Sequence, residues 1–488
     1  MSLTQSSGLV PYTEIIPDNL RAGGLTKASS VVERRRIRVA PQGAASYASA
    51  GNQQIQFLIA GDGMLDCRSA VLNFTIQTTG SNVAPDDFGI FGVQQTILNG
   101  NVVENLTNCA KVANANFRTG VSKSFLQTAG SFMGAQLLND DLEMSTPVAS
   151  AILLSSYGNV SQNQPGVAAR AQRVSGATSL GNNSFGGINY SVPLSVIGDF
   201  WKCQQALPLG ILGEINLTIV TNSAVQALFS GETVPTSPDY ALYNINLTYD
   251  VLVPSNDLMM LYKQVAMDPN DAGLNYVVES TICTQAGNIG TTASAATGLS
   301  EYVAIASRST NNLVRSSLFL VNAVPAASVQ YPSQSCFSWA NTYSVQWRIG
   351  SIPFPQLTPA GAADLFTMTL NSVGSATVEH GTAINYLMWA NSTDAETLAT
   401  STTYASASVC TTNKFTYADS FIPTMSFKQI NGGYEQPSLQ GLSLSGNSGS
   451  QLIASFVSAP PTSYQVFLTV TALKVIKAQG ASVRVEGP

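Results

Sequence analysis

Tyr243-Asn244-Ile245-Asn246-Leu247-Thr248-Tyr249-Asp250-Val251-Leu252-Val253 decides the fold class. Tyr243, Ile245, Leu247, Tyr249 and Val251 occupy every second position, with Asn, Asn, Thr and Asp between them. Successive side chains of a strand point to opposite faces, so the run predicts a long β-strand with one buried face. Pro254-Ser255-Asn256-Asp257 stops it. The pattern returns near the C-terminus. Gln465 to Ile476 carries Val466, Leu468, Val470 and Ala472 on one face.

Shorter strand patterns precede each of these long runs. Before the first come residues 54–59, then 69–77 with Leu72, Phe74 and Ile76 alternating, separated by the turn Gly61-Asp62-Gly63. Asp86 to Leu98 leads into Asn99-Gly100, a hairpin turn signal. Residues 104–118 read as a short helix with Leu106, Cys109, Val112 and Phe117 near one face. Residues 155–190 are rich in Gly, Asn, Ser and Gln and read as a long exposed loop. Ile211 to Val220 is the next strand, with Ile215, Leu217 and Ile219 alternating. Leu258 to Val265 reads as a short helix or linker.

The second run places strands near 276–283, 301–307, 313–321, 343–350, 384–390, 415–417, 451–457 and 464–476. Thr358-Pro359 reads as a helix start with a capping residue and a first-turn proline. Leu365, Phe366, Met368 and Leu370 supply the apolar side, and Gly374 the stop. Gly287 to Gly298 is a low-complexity loop. The chain thus reads twice, dividing near residue 260. The expected organisation is an arm at 1–50, a first sandwich at 51–260 and a second at 261–488 with a C-terminal tail. Eight antiparallel strands with long loops fit a jelly roll. The expected class is all-β: two consecutive eight-stranded jelly rolls, a double jelly roll, with short helices in loops and an extended N-terminal arm.

Composition narrows the function. Of 488 residues, 44% are hydrophobic, enough for a sizeable core, and only 10% are charged, where about 25% is ordinary. Such a surface suits burial against neighbours. The net charge of -6 argues against wrapping nucleic acid by phosphate neutralisation. His380 is the single histidine, which excludes sites built on two imidazoles. Cys67, Cys109, Cys203, Cys283, Cys336 and Cys410 form no C-x-x-C pair and read as small buried hydrophobes. A cytoplasmic origin favours thiols. The N-terminus has no charged segment followed by an apolar one, so no secretory signal is expected, and no run of apolar residues is long enough for a membrane span.

No catalytic constellation emerges. The chain has no G-x-S-x-G, no phosphate-binding glycine loop and no calcium loop. His380 reads as a turn or packing residue. Asp86-Asp87 and Asp140-Asp141 read as solvated loop acids, although a glycosidase uses two carboxylates from separate loops. Trp201, Trp339, Trp347 and Trp389 sit in or beside strand patterns and read as core. Neither a catalytic residue nor a cofactor or metal ligand is expected. Three classes are weighed: a structural assembly protein, a two-sandwich carbohydrate-binding or adhesive protein, and a polysaccharide hydrolase on a β scaffold.

The dense basic run is Arg34-Arg35-Arg36-Ile37-Arg38, inside the expected arm. It reads either as a solvated strand edge or as an arm tying to a neighbouring subunit, membrane head groups or packaged nucleic acid.

Four segments carry a family likeness. They are Gln53 to Ile76 with its Met64-Leu65-Asp66 bend, and Ile97-Leu98-Asn99-Gly100-Asn101-Val102-Val103-Glu104. Leu207-Pro208-Leu209 with Ile215-Asn216-Leu217 and Tyr243 to Val253 is the third; Arg348-Ile349-Gly350, Pro353, Pro355 and the helix after Pro359 the fourth. In this order they resemble the double jelly-roll major capsid proteins of tailless icosahedral DNA viruses, the lineage of tectiviruses, adenoviruses, virophages and polinton-like viruses. The likeness spans roughly residues 50–476. It implies a non-enzymatic structural protein, a pseudo-hexagonal homotrimer that tiles an icosahedral shell. It implies neighbouring capsomers, penton and minor capsid proteins, and an internal membrane as partners, without sequence-specific nucleic acid binding. The chain would be made in the host cytoplasm and reside in the virion. Arg34, Arg35, Arg36 and Arg38 would lie on the inner side, and deleting residues 1–40 would leave the sandwiches folded but impair shell formation.

Overall fold

Two runs of strands follow one another along the chain. The computed structural model describes residues 31–47, 52–79, 84–85, 88–122, 125, 133, 188–229, 239–268, 273–289, 299–305, 313–322, 343–349, 352–357, 359, 362–373, 422–427, 450–456, 464–480 and 482–486. The first run is β1 (Val31–Val39), β2 (Gln54–Ile59), β3 (Met64–Thr79), β4 (Ala84–Pro85), β5 (Phe91–Leu98), β6 (Asn101–Thr107), β7 (Ile188–Pro193), β8 (Leu207–Pro208), β9 (Ile215–Thr221), β10 (Leu228–Phe229) and β11 (Asp239–Pro254). The second is β12 (Leu274–Ile289), β13 (Leu299–Ile305), β14 (Leu313–Asn322), β15 (Tyr343–Ile349), β16 (Ile352–Phe354), β17 (Thr424–Ser426), β18 (Ser450–Phe456), β19 (Tyr464–Gln479) and β20 (Ser482–Glu486). Helices are α1 (Cys109–Gly120), α2 (Leu194–Ile197), α3 (Leu209–Leu212), α4 (Ala224–Ala227), α5 (Asn256–Met267) and α6 (Ala362–Val373), with a 3-10 turn at Asp199–Lys202.

The pairing is antiparallel and doubled. In the first run one sheet has the order β1-β11-β3-β7, with β8 also on β3, and the other β2-β9-β5-β6. In the second run the sheets are β12-β19-β14-β17, with β20 on β19, and β13-β18-β15-β16. With the short additions β4, β8, β10 and β20 set aside, each run has eight strands among the described residues. Both then show one order: first, eighth, third, sixth in one sheet, and second, seventh, fourth, fifth in the other. This is the jelly roll made twice. Each run also carries a twelve-residue helix between its fifth and sixth strands, α1 in the first and α6 in the second. Between the runs stands α5, started by Ser255, whose side chain accepts the Leu258 N–H at 3.4 Å.

The strands form where alternation places them, with instructive shifts. In β11, Ile245, Leu247, Tyr249 and Val251 are buried, but Tyr243 is only half-buried. Asn244 adopts φ 55 and a bulge interrupts the pairing with β3 between Tyr243 and Asn246. The extra residue turns the preceding stretch over, so Tyr240 and Leu242 take the buried positions instead. The Asn99-Gly100 turn joins β5 to β6 with φ 46 and 78, the left-handed pair such a hairpin requires.

Several expectations are corrected. Residues 104–107 belong to β6, and the helix begins at Cys109 after Asn108 breaks the strand at φ 53. The helix expected from Pro359 begins at Ala362; Thr358 and Gly374 lie outside the described residues. The Gly61–Gly63 turn forms between β2 and β3 as expected, and because the two strands lie in different sheets it crosses the sandwich. Residues 188–190, placed at the end of the long loop, open β7, which runs on to Pro193. Most consequentially, residues 31–39 of the expected arm are β1, the first strand of the first jelly roll. Deleting residues 1–40 would therefore remove a strand rather than a tether. The expected strands at 384–390 and 415–417, Asp86-Asp87, Asp140-Asp141, His380, Trp339, Trp389, Cys336 and Cys410 lie outside the described residues.

Trp201 and Trp347 are buried, as are Cys67, Cys109, Cys203 and Cys283, which are free thiols. Buried apolar residues of both rolls join in one connected core. No helix among the described residues is long and apolar enough to cross a membrane.

Candidate functional site: a basic edge strand and the joint between the rolls

Among the described residues β1 is the edge of its sheet and pairs only with β11, Ile37 opposite Tyr249 and Val39 opposite Leu247. Ile37 and Val39 pack against the core. The side-chain alternation therefore puts Arg34, Arg36 and Arg38 on the outer face. Arg35 shares the parity of Ile37 but is exposed, and it pairs with Glu33 at 2.7 Å. Arg34 binds Asp250 at 2.6 Å and approaches Asp66 at 3.5 Å. Arg36 and Arg38 are exposed and have no ion pair or hydrogen bond among the described residues. The structure thus gathers three of the four arginines on one face and satisfies one of those with acids of its own sheet.

The sequence does not announce the second region. β6 is an edge strand of the first roll and β12 an edge strand of the second, and the two lie against each other. Covering one edge with another removes two open ladders at once. Ser280 Oγ and Lys474 Nζ both donate to the Val103 carbonyl, at 3.1 and 2.6 Å. Thr107 Oγ1 donates to the Cys283 carbonyl at 3.1 Å, and Asn101 Nδ2 to the Val483 carbonyl at 3.2 Å.

Two buried carboxyls sit at the centre. Glu104 of β6 is 0% exposed and accepts the backbone N–H groups of Asp199 at 3.0 Å, Phe200 at 3.4 Å and Thr281 at 3.2 Å. Asp199 is 2% exposed and is held by Lys202, by the Thr281 hydroxyl and by Arg315 at 3.9 Å. Thr281 Oγ1 also shares a hydrogen with Thr471 Oγ1 at 2.7 Å. Burial pushes the Glu104 carboxyl up to about 8, and the charge on Asp199 adds to that push. Burial also pushes Asp199 up, but Lys202 and Arg315 outweigh it and hold that carboxyl at about 2. The two acids are therefore pushed apart: Asp199 is held towards its charged form and Glu104 towards its protonated one. Gly198 fits this packing closely, since a Cβ there would stand 2.7 Å from Glu104 Oε2.

A sequence signal for Glu104 exists. It falls two residues before the buried Leu106, on a core-facing position of a strand, where an acid is out of place. Reading residues 104–118 as a helix hides it. Nothing near Asp199 marks it beforehand. Among the described residues, no group of three or more His, Cys, Asp or Glu gathers as a metal site.

No protein-family model and no curated protein matches the sequence. Solved structures do match the fold. The faustovirus major capsid protein superposes with a TM-score of 0.54 at 9% identity, covering 98% of this chain and 93% of that one. VP54 of PBCV-1, as fitted into a reconstruction of the virophage Sputnik, gives 0.53 at 10% identity over 93% and 96%. The mavirus major capsid protein gives 0.51 at 10% identity over 100% and 96%. With both sandwiches wound in one strand order and matched over nearly the full length of these chains, the protein has the double jelly-roll fold of viral major capsid proteins.

Proposed function

We propose that the chain is the structural major capsid protein of an icosahedral virus and acts by assembly rather than catalysis. The doubled strand order carries this reading, because two like sandwiches in one chain let three chains present six similar units. The low charge supports it: neutral polar surfaces pack against copies of themselves with little repulsion. The assembling unit is a pseudo-hexagonal homotrimer whose partners are neighbouring capsomers, with penton and minor capsid proteins and an internal membrane as further partners. The protein's place is the virion shell. We assign the outer face of β1, with Arg36 and Arg38 as its unpaired cations, to contacts on the inner side of that shell.

Light scattering on a sizing column tests the first step. The expected mass is three times the 51.3 kDa of one chain, without monomer at micromolar concentration. A monodisperse monomer over a wide concentration range overturns the proposal. The joint substitution Arg36→Glu and Arg38→Glu should leave the trimer intact and reduce particle yield in electron micrographs. Unchanged particles remove the assignment of β1.

A further inference from the structure

The joint inside the chain joins the fifth strand of the first roll, β6, to the first strand of the second, β12. The doubled strand order supplies a second set of the same two pieces. β16 is the fifth strand of the second roll and β1 the first strand of the first, and among the described residues each is the edge of its sheet. Burial separates the used set from the spare one. Ser280, Thr281 and Cys283 of β12 are buried where they meet β6. On β1, Val32 to Arg36 are exposed, and Ile37 and Val39 are half-buried. The turns before β6 and β16 match, with Leu98 paired to Asn101 and Ile349 to Ile352. Counting on from these pairs sets Phe354 where Val103 stands. Val103 is wholly buried and its carbonyl accepts from Ser280 and Lys474. Phe354 is half-buried, and Gln356 and Leu357 beyond it are exposed. The two most exposed large apolar side chains among the described residues are Leu357, at 85%, just past β16, and Val32, at 72%, on β1.

We propose that β16 of one copy of the chain docks on the free edge of β1 of a second copy, repeating between chains the β6–β12 joint made within each. This rests on the trimer reading above and specifies which surfaces close the trimer. The contact is head-to-tail, since each chain offers one β1 and one β16, and copies add in one direction until the ring closes. Three chains then hold six joints of one kind, three internal and three between copies. Each new joint covers two open ladders at once, as the internal one does. It also takes Val32 and Leu357 out of water. Counting one residue beyond Phe354 sets Pro355 in the place of Glu104, so the joint between copies lacks that buried carboxyl and leans on apolar contact. The surface used is the edge of β1; its outer face, with Arg36 and Arg38, stays clear.

The test blocks one surface at a time in the full chain. Val32→Glu charges the β1 edge and Leu357→Glu the β16 side; both side chains are exposed in the single chain, so each variant should keep the wild-type circular dichroism. By light scattering on a sizing column each variant alone should run at the mass of one chain, where the wild type runs at three. Mixed in equal amounts, the two variants should form a species of two chains, twice 51.3 kDa, and stop there. The intact β16 of the Val32→Glu chain meets the intact β1 of the Leu357→Glu chain, and both remaining ends are blocked. Amide hydrogen exchange gives a second readout. Peptides covering β1 should exchange more slowly in the wild-type trimer than in Leu357→Glu, although that substitution lies in the other roll. Variants that remain trimeric, a mixture without the two-chain species, or equal exchange of β1 in the two proteins overturns this pairing and leaves the trimer reading standing. A wild-type chain that is itself a monomer overturns both.

Discussion

Glu104 and Asp199 show how much rests on single buried groups. The folded-state value of Glu104, about 8, is above its ordinary 4.5, so the folded protein holds a proton that the unfolded chain releases. The stability tied to that proton is complete below pH 4.5 and falls as pH rises towards 8, by about 1.4 kcal/mol per pH unit at most. Asp199 works in the opposite sense. Its folded value of about 2 lies below 3.8, so its contribution is present above pH 3.8 and is lost as pH falls to 2. Glu104→Gln keeps the shape and mimics the protonated form. The thermal midpoint of the wild type should fall between pH 5 and 8, and that of the variant should fall measurably less. Equal slopes would show that Glu104 is ionised in the folded state. Glu104 was open to discovery in sequence, as an acid on a core-facing position. Its partners were not, because Asp199 and Phe200 on one side and Thr281 on the other come from distant segments and meet it only once both rolls have formed.

At the scale of elements, alternation located most strands and failed where pairing or burial overrides it. Val466, Leu468, Val470 and Ala472 read correctly as a buried face, yet Val466 to Leu473 is buried without interruption. The Lys111 ammonium of α1 stands 5.4 Å from the Phe467 ring, and Thr471 joins the polar cluster of the joint. Threonines that resemble a solvent face therefore line an internal one. The arginines of β1 read either as a solvated strand edge or as a tethering arm, and the strand edge is what forms, with Ile37 and Val39 the alternate residues that bind it to the core. Two truncations separate these ideas. Removing residues 1–30 deletes none of the described strands and should leave the thermal midpoint unchanged, whatever it does to particle yield. Removing residues 1–40 strips β1 from β11, exposes the edge of the eighth strand and uncovers Ile37 and Val39 contacts. Burying two such side chains contributes about 1.5–3 kcal/mol each when complete, and these are half-buried. The longer truncation should therefore lower the midpoint or aggregate through its open edge. An unchanged midpoint would show that β1 is dispensable to the sandwich.

At the scale of the molecule, the doubling was legible because the same order of short and long strands recurs, ending each time in a long alternating run. The boundary near residue 260 falls within α5, between β11 and β12. What could not be read is how firmly the two rolls are joined. Their sheets share no strand among the described residues, yet their cores are continuous and their edge strands β6 and β12 cover each other. The joint is closed by ionic and hydroxyl groups as well as apolar ones, and such a contact is strong only while every member is satisfied. Asp199→Ala leaves Arg315 without its carboxylate and empties the site that receives the Thr281 hydroxyl. Breaking a buried pair from one side costs about 3–5 kcal/mol, and the lower end applies here because Lys202 reaches solvent. The wild-type chain should unfold in one calorimetric transition, since neither roll can leave the other without exposing Glu104 and Asp199. In Asp199→Ala that single transition should separate into two, one for each roll. One transition persisting at a lower temperature would instead assign the coupling to the apolar contacts of the joint, with the carboxyl pair adding stability and no cooperativity.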